Sequence, residues 1–252
     1  MKKFMGLAVI TVFMLVTVSG FYNPAECELL FTKNKRIEGR GYLMFGGLRM
    51  DIDDLNTHLK SAAMQGIVGY SEFKDDFFSI GGGGHVIFGK LIIGGEGHGL
   101  IRGNEKLGNY KTSLFGGYGL LNFGMTLISS GRFDIYPLVG IGGGGMRLKI
   151  TERNSVSFGD VLDNPGRNSD MTTGCFLLHA ALGFDHLVKL ADTEFGTGGL
   201  VFGCRAGYIY APYTSEWRME GKEVSGGPET GITGPYFRIL IGGGGYAKKF
   251  ND

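Results

Sequence analysis

Proline, net charge and long apolar runs are all in short supply in this chain, and each shortage removes a class of protein. Six prolines in 252 residues, with no glycine recurring at every third position, exclude a collagen-like triple helix and Pro-rich disorder. The net charge is only +1, and no Lys/Arg cluster has the length or aromatic interleaving of a nucleic-acid surface, so no nucleic-acid partner is expected. Beyond Val18 no apolar run reaches the roughly 20 residues of a transmembrane helix. No linker-like stretch divides the chain, which points to one domain. Cysteine is sparse too. Cys175 and Cys204 fall on adjacent predicted strands but are offset by several residues, so free, buried thiols are expected rather than a bridge.

The one long apolar run sits at the start. Lys2 and Lys3 precede apolar residues from Phe4 to Val18 and then small and polar ones, the layout of a secretory signal. Val18-Ser19-Gly20 and Ala25-Glu26-Cys27 both offer small residues before a cut, whereas Pro24-Ala25-Glu26 lacks the small, apolar triplet of lipoprotein processing at Cys27. The expected organisation is a secretory signal and short leader at residues 1–27 and a single domain at 28–252.

Glycine is what the chain has in excess, 47 residues against a usual share of roughly 7%, and it sits inside apolar runs. With Gly89-Lys90 as a two-residue turn, Gly81, Gly82, Gly83 and Gly84 lie opposite His98, Gly97, Glu96 and Gly95. With Ser130-Gly131 as a second turn, Gly142, Gly143, Gly144 and Gly145 lie opposite Gly119, Tyr118, Gly117 and Gly116. The two registers describe one belt of small residues crossing a sheet.

Eight segments read as strands: residues 39–48, 76–88, 91–103, 110–128, 133–151, 172–186, 197–211 and 232–246. A short helix is expected at 51–65, with Asp51 as its cap, Asp54 near the positive end of its dipole, and Ile52, Leu55, Leu59, Ala62 and Ala63 as a buried stripe. Connections alternate, with 89–90, 129–132 and 187–196 at one end and the longer 49–75, 104–109, 152–171 and 212–231 at the other. Strand faces alternate as well: Phe115, Leu121, Phe123 and Leu127 oppose Thr112, Tyr118, Asn122 and Thr126. These features predict an all-β fold, a closed antiparallel up-and-down transmembrane β-barrel of about eight strands, with the one short helix in its first long loop. Polar faces then point into a lumen filled by side chains.

With its signal, loop parity, outward apolar faces and the run Tyr136-Pro137-Leu138-Val139-Gly140-Ile141-Gly142, the chain resembles the small eight-stranded outer-membrane barrels of diderm bacteria over most of its length after the signal. The resemblance implies the cell outer membrane as location. It also allows a lipid-modifying activity, since some such barrels cleave or transfer acyl chains with His, Ser and acidic residues. One departure concerns the end of the chain: such proteins often finish on an aromatic residue, whereas Phe250 is followed by Asn251 and Asp252.

Residues 84–91, GHVIFGKL, nearly spell a phosphate-binding loop, but Leu91 stands where a Ser/Thr would meet magnesium and the segment is built of strand formers. No HExxH or Cys-rich spacing supports a metal, and no cofactor is expected. The inward faces collect His85, Glu96, His98, Arg102, Asn122, His179, Asp185, Arg205 and Arg238, which predicts an internal polar network, because charges in a narrow lumen require partners. His85 and Glu96, diagonal neighbours in the first hairpin, are expected to pair. The glycine belt costs about 0.5–1 kcal/mol per residue against alanine, so something must use the space. Two uses compete. One is strand coiling with room for Tyr118 and the luminal charges; the other is a partner, a lipid chain or the 51–65 helix lying on the bare wall.

The function expected is that of an integral outer-membrane barrel with a structural or surface-interaction role. Outer-membrane lipid surrounds it, and any surface ligand or partner protein meets the long loops at 153–170 and 212–231. Two alternatives stand beside it: a lipid-modifying acyl hydrolase or transferase using His85, Glu96, His98 and Ser79, and a secreted soluble barrel holding an apolar ligand.

Overall fold

The computed structural model describes residues 37–64, 72–103, 105–107, 110–130, 133–152, 168–194 and 196–247. The expected signal at 1–27 lies outside them, as do residues 153–167 of the third long loop and the terminal Phe250-Asn251-Asp252. In chain order the elements are β1 (Ile37–Arg49), α1 (Asp53–Met64), β2 (Asp76–Phe88), β3 (Leu91–Ile101), β4 (Glu105–Leu107), β5 (Tyr110–Met125) and β6 (Ile128–Ser129). They continue with β7 (Phe133–Glu152), β8 (Asn168–Asp192), β9 (Gly196–Thr214), β10 (Trp217–Met219), β11 (Lys222–Val224) and β12 (Gly234–Ala247).

Eight of these strands form the wall, in the order β1, β2, β3, β5, β7, β8, β9, β12, each antiparallel to the next. The last returns to the first, from Glu38↔Tyr246 to Leu48↔Tyr236. The sheet is therefore a closed barrel, and closure removes the unpaired backbone edges that an open sheet would present.

The first hairpin has the expected register, with Gly81↔His98, Gly82↔Gly97, Gly83↔Glu96 and Gly84↔Gly95. The second is displaced by one residue: Gly116, Gly117, Tyr118 and Gly119 face Met146, Gly145, Gly144 and Gly143. The cause lies in the connection. Next to the turn Ser129 pairs with Asp134, two residues off the expected register. Farther on, Gly124 pairs with Leu138 and Ile128 with Ile135, so four steps on one strand match three on the other and one of the two residues is taken back. The extra residue lies between Gly124 and Ile128, where the Thr126 N–H keeps the β3 register by going to the carbonyl of Lys90 and the Leu127 N–H goes to the carbonyl of Ile135. That is a one-residue bulge, a device that local hydrophobic patterning does not reveal.

Where a loop was expected at 187–196, β8 runs on to Asp192 and β9 begins at Gly196. The 212–231 connection likewise contains a hairpin, β10–β11, with positive φ at Glu220 (51°) and Gly221 (80°) at its tip. It extends the wall outward by pairing Arg218 with Thr172 and Met219 with Met171 of β8.

Ile52, just before α1, and Leu55 and Leu59 within it join the apolar cluster that includes Leu48, Phe73, Phe77, Leu100, Leu114 and Leu148. Asn56 fixes the helix by donating to the carbonyl of Phe73 (2.8 Å) and accepting from its N–H (2.9 Å). Asp54 accepts from the N–H of Glu229 (2.7 Å). The helix thus packs at the long-loop end of the lumen and does not lie on the glycine belt.

Candidate functional site

Inside the wall two polar clusters stack along the lumen. The first surrounds Arg40, whose guanidinium donates to Asp185 (3.0 Å), to Glu38 (2.9 Å) and to Asp134. Tyr42 donates to the same oxygen of Asp185 at 2.6 Å. The second is built on Glu96, which accepts from Arg238 at 2.9 Å and from Arg205. Arg238 also donates to Tyr118, and Arg205 to Tyr136 at 3.3 Å. His179 bridges Asn122 (2.9 Å) and Tyr236 (2.7 Å). Asn122 offers its carbonyl oxygen, so Nδ1 carries the proton and Nε2 accepts the tyrosine hydroxyl. Together Arg40, Arg205 and Arg238 meet Glu38, Glu96, Asp134 and Asp185, and all of these are buried. Taking such ions out of water is tolerable only because each is paired and hydrogen-bonded.

His85, Glu96, His98, Asn122, His179, Asp185, Arg205 and Arg238 are buried, while Arg102 is half-buried, with its guanidinium over the rings of Phe73 (5.6 Å) and Phe77 (5.5 Å). The pairing expected between His85 and Glu96 is not formed. Glu96 turns to two guanidiniums, which attract a carboxylate more strongly than an imidazole does. His85 lies instead 3.4 Å from the Tyr42 hydroxyl and 3.7 Å from Asp185. Arg40, Glu38, Asp134 and Tyr42 were missed as partners; Arg40 shares strand parity with Tyr42 and Met44, which is the signal that places it inside.

A second chain of contacts runs from Ser79 to Glu96. The Ser79 hydroxyl lies 3.2 Å from His98 Nδ1, and His98 Nε2 lies 3.5 Å from Glu96. The order is that of a nucleophile, a base and an orienting carboxylate. Ser79 is fully buried, however, and Glu96 is already committed to two arginines. Among the described residues no three His, Cys, Asp or Glu side chains converge as a metal site requires. Cys175 and Cys204 are free thiols.

The glycines divide by face. Gly81, Gly83, Gly116, Gly142 and Gly144 share the inward parity, whereas Gly82, Gly84, Gly95, Gly97, Gly117, Gly119, Gly143 and Gly145 share the outward one. Inward glycines stand opposite large luminal side chains: Gly83 faces Glu96, Gly94 faces His85, Gly144 faces Tyr118, Gly183 faces Tyr136, Gly46 faces Arg238 and Gly244 faces Arg40. A methyl at Gly94 would come within 2.6 Å of His85 Cβ, and one at Gly144 within 2.7 Å of Tyr118 Cβ.

The outward face is apolar. On β2 it presents Phe78, Ile80, Gly82, Gly84, Val86 and Phe88, bracketed by Asp76 and Lys90; Phe78 and Phe88 are 52% and 42% exposed. Leu43, Leu121, Ile141, Leu182, Phe237 and Ile239 continue the exposed apolar surface around the other strands. Among the described residues no helix is long and apolar enough to cross a membrane; the apolar surface belongs to the strands.

No protein-family model and no curated protein sequence matches the chain. Among solved structures it is similar to Ail, the attachment invasion locus protein of Yersinia pestis, at 13% identity and a TM-score of 0.37, over 86% of this chain and all of that one. The same protein in complex with the heparin analogue sucrose octasulfate matches at 12% identity and a TM-score of 0.39, with the same coverage. The outer membrane protease OmpT from Escherichia coli matches at 11% and 0.37, over 87% of this chain and all of that one. Likenesses of this order carry neither residue roles nor ligands over to this chain.

Proposed function

We propose that the chain is an integral outer-membrane β-barrel with a structural or surface-interaction role, its lumen kept closed by paired polar side chains. The observation that carries this reading is the height of the apolar wall. Ten residues separate Phe78 from Phe88; at about 3.4 Å per residue and a tilt of about 40° they rise about 26 Å, against an apolar band of about 25 Å in outer-membrane barrels. Within the height of that band the charges, Arg40, Glu96, Asp185, Arg205 and Arg238, are turned inward and paired, the reverse of a water-soluble barrel. Residues 28–252 then form one exported unit behind a signal at 1–27. The long-loop end, with the exposed β10–β11 hairpin, faces the outside and carries any recognition of a ligand or partner protein.

Cell fractionation tests the location: the mature chain stays with outer membranes through carbonate extraction, and recovery in the soluble periplasmic fraction would refute it. At the level of Tyr42, His85, Asn122 and Arg205 the lumen leaves a cavity of only about 10 Å³, room for about one water, and an apolar ligand finds no space there.

A second reading, a lipid-modifying enzyme, rests on the Ser79–His98–Glu96 chain. Ser79→Ala separates the two. A structural hydroxyl lost from the lumen shifts the unfolding midpoint and leaves the membrane's acylated lipids unchanged; a nucleophile lost abolishes lipid turnover at unaltered stability.

A further inference from the structure

Two grooves of similar size indent the outer wall at its long-loop end. One, of about 360 Å³, lies over Gly47 between Arg49 and Asp76, so its rim is neutral. The other, of about 330 Å³, lies between Phe115, Gly117, Gly145 and Thr172, with Arg147 on its rim. Its charge is different. Following β7 outward, the apolar run Ile135, Pro137, Val139, Ile141, Gly143, Gly145 ends at Arg147 and then Lys149. Lys149 pairs with Ser113, between Phe115 and Lys111 on β5, so Lys111, Arg147 and Lys149 share one outward patch. Asp170 neutralises one of them through its contacts with Arg147 at 2.7 and 3.0 Å. Among the described residues the rim therefore keeps two positive charges in excess where the apolar wall meets the headgroup layer.

We propose that this groove binds a phosphate-bearing lipid of the surrounding leaflet, one acyl chain lying over Gly117 and Gly145 and the phosphate meeting Lys111, Arg147 and Lys149. The inference rests on the outer-membrane reading. Missing side chains at the two glycines let a chain approach the backbone, and charge complementarity selects the headgroup; each basic residue close to an anionic headgroup adds to binding, and the effect fades within a Debye length. The Arg49–Asp76 groove offers the same shape without the charge, and it binds no such lipid selectively.

The test uses the full mature chain folded into nanodiscs of phosphatidylcholine doped with diphosphorylated lipid A or with its dephosphorylated form, followed by native mass spectrometry of the lipids retained. The phosphorylated form is retained preferentially, and Lys111→Gln/Arg147→Gln/Lys149→Gln lowers that retention about tenfold. Arg49→Gln leaves it unchanged. Thr172→Phe, which fills the groove and keeps the charges, lowers retention as well. Inorganic phosphate does not displace the lipid. Equal retention of both lipid forms, equal loss with Arg49→Gln, or displacement by free phosphate overturns the inference while the membrane reading stands. A chain that does not enter nanodiscs overturns both.

Discussion

A methyl group added at Gly83 would overlap the carbonyl oxygen of Gly95 and come within 2.7 Å of Glu96 Cα, whereas one added at Gly97 would meet nothing nearer than the carbonyl oxygen of Tyr118, at 3.8 Å. The two glycines belong to paired strands of one wall, and they are there for different reasons. Gly83 faces the lumen, where an eight-stranded barrel has too little width for two large side chains on paired positions. Glycine on one strand is the condition for glutamate on the next. Gly97 faces outward and is not required by packing, so its lack of a side chain acts on whatever lies against the wall. One excess of glycine thus has two physical origins, and only the alternation of the strands separates them.

The largest effect that would sharpen this contrast comes from the residue Gly83 accommodates. Glu96→Gln keeps the shape but leaves Arg205 and Arg238 facing a neutral amide, and stability should fall by about 3–5 kcal/mol, read as the urea midpoint of the barrel refolded in detergent. Gly83→Ala and Gly94→Ala come next, with losses of about 1–3 kcal/mol from overpacking. Gly97→Ala and Gly119→Ala should be neutral or stabilising by up to about 0.5–1 kcal/mol; a loss there as large as at Gly83 would break the comparison. The smallest effect belongs to the hairpin tip. Arg218→Gln removes an exposed pair at 3.2 Å with Glu223, and the change should stay below about 1 kcal/mol, at the limit of the same unfolding measurement.

Much of the wall was legible because strand alternation is a local property. The limits of β2 are as expected, and the first hairpin needed only its Gly89-Lys90 turn to give the register, with Gly89 at a φ of 65°. The second hairpin differs from its expected register by one residue because the pairing next to its turn is shifted by two and a bulge between Gly124 and Ile128 restores one, and strand alternation reveals neither. Inward parity identified His179, Arg205 and Arg238, yet it could not say which carboxylate each arginine meets. Arg40 reaches Asp134 and Asp185 across 94 and 145 residues of chain, and such a pairing follows from barrel closure alone. The helix stripe at Ile52, Leu55 and Leu59 was visible in its spacing; its place at the lumen's end was set by Asn56 and Phe73, which no periodicity connects.

The seam between β1 and β12 has a consequence for assembly. Arg40 and Tyr42 enter with the first strand of the wall, whereas the glycines that clear space beside them, Gly244 and Gly242, arrive with the last. Until that seam zips, both flanking edges are open and the Arg40 cluster lacks a side of its enclosure. Bringing such distant segments together carries a loop-closure cost before any contact compensates it. The barrel is therefore expected to form late and in one cooperative event, with the polar interior completed by the same step that seals the wall. A chain interrupted before residue 234 would retain most of the side chains of the lumen and none of its closure.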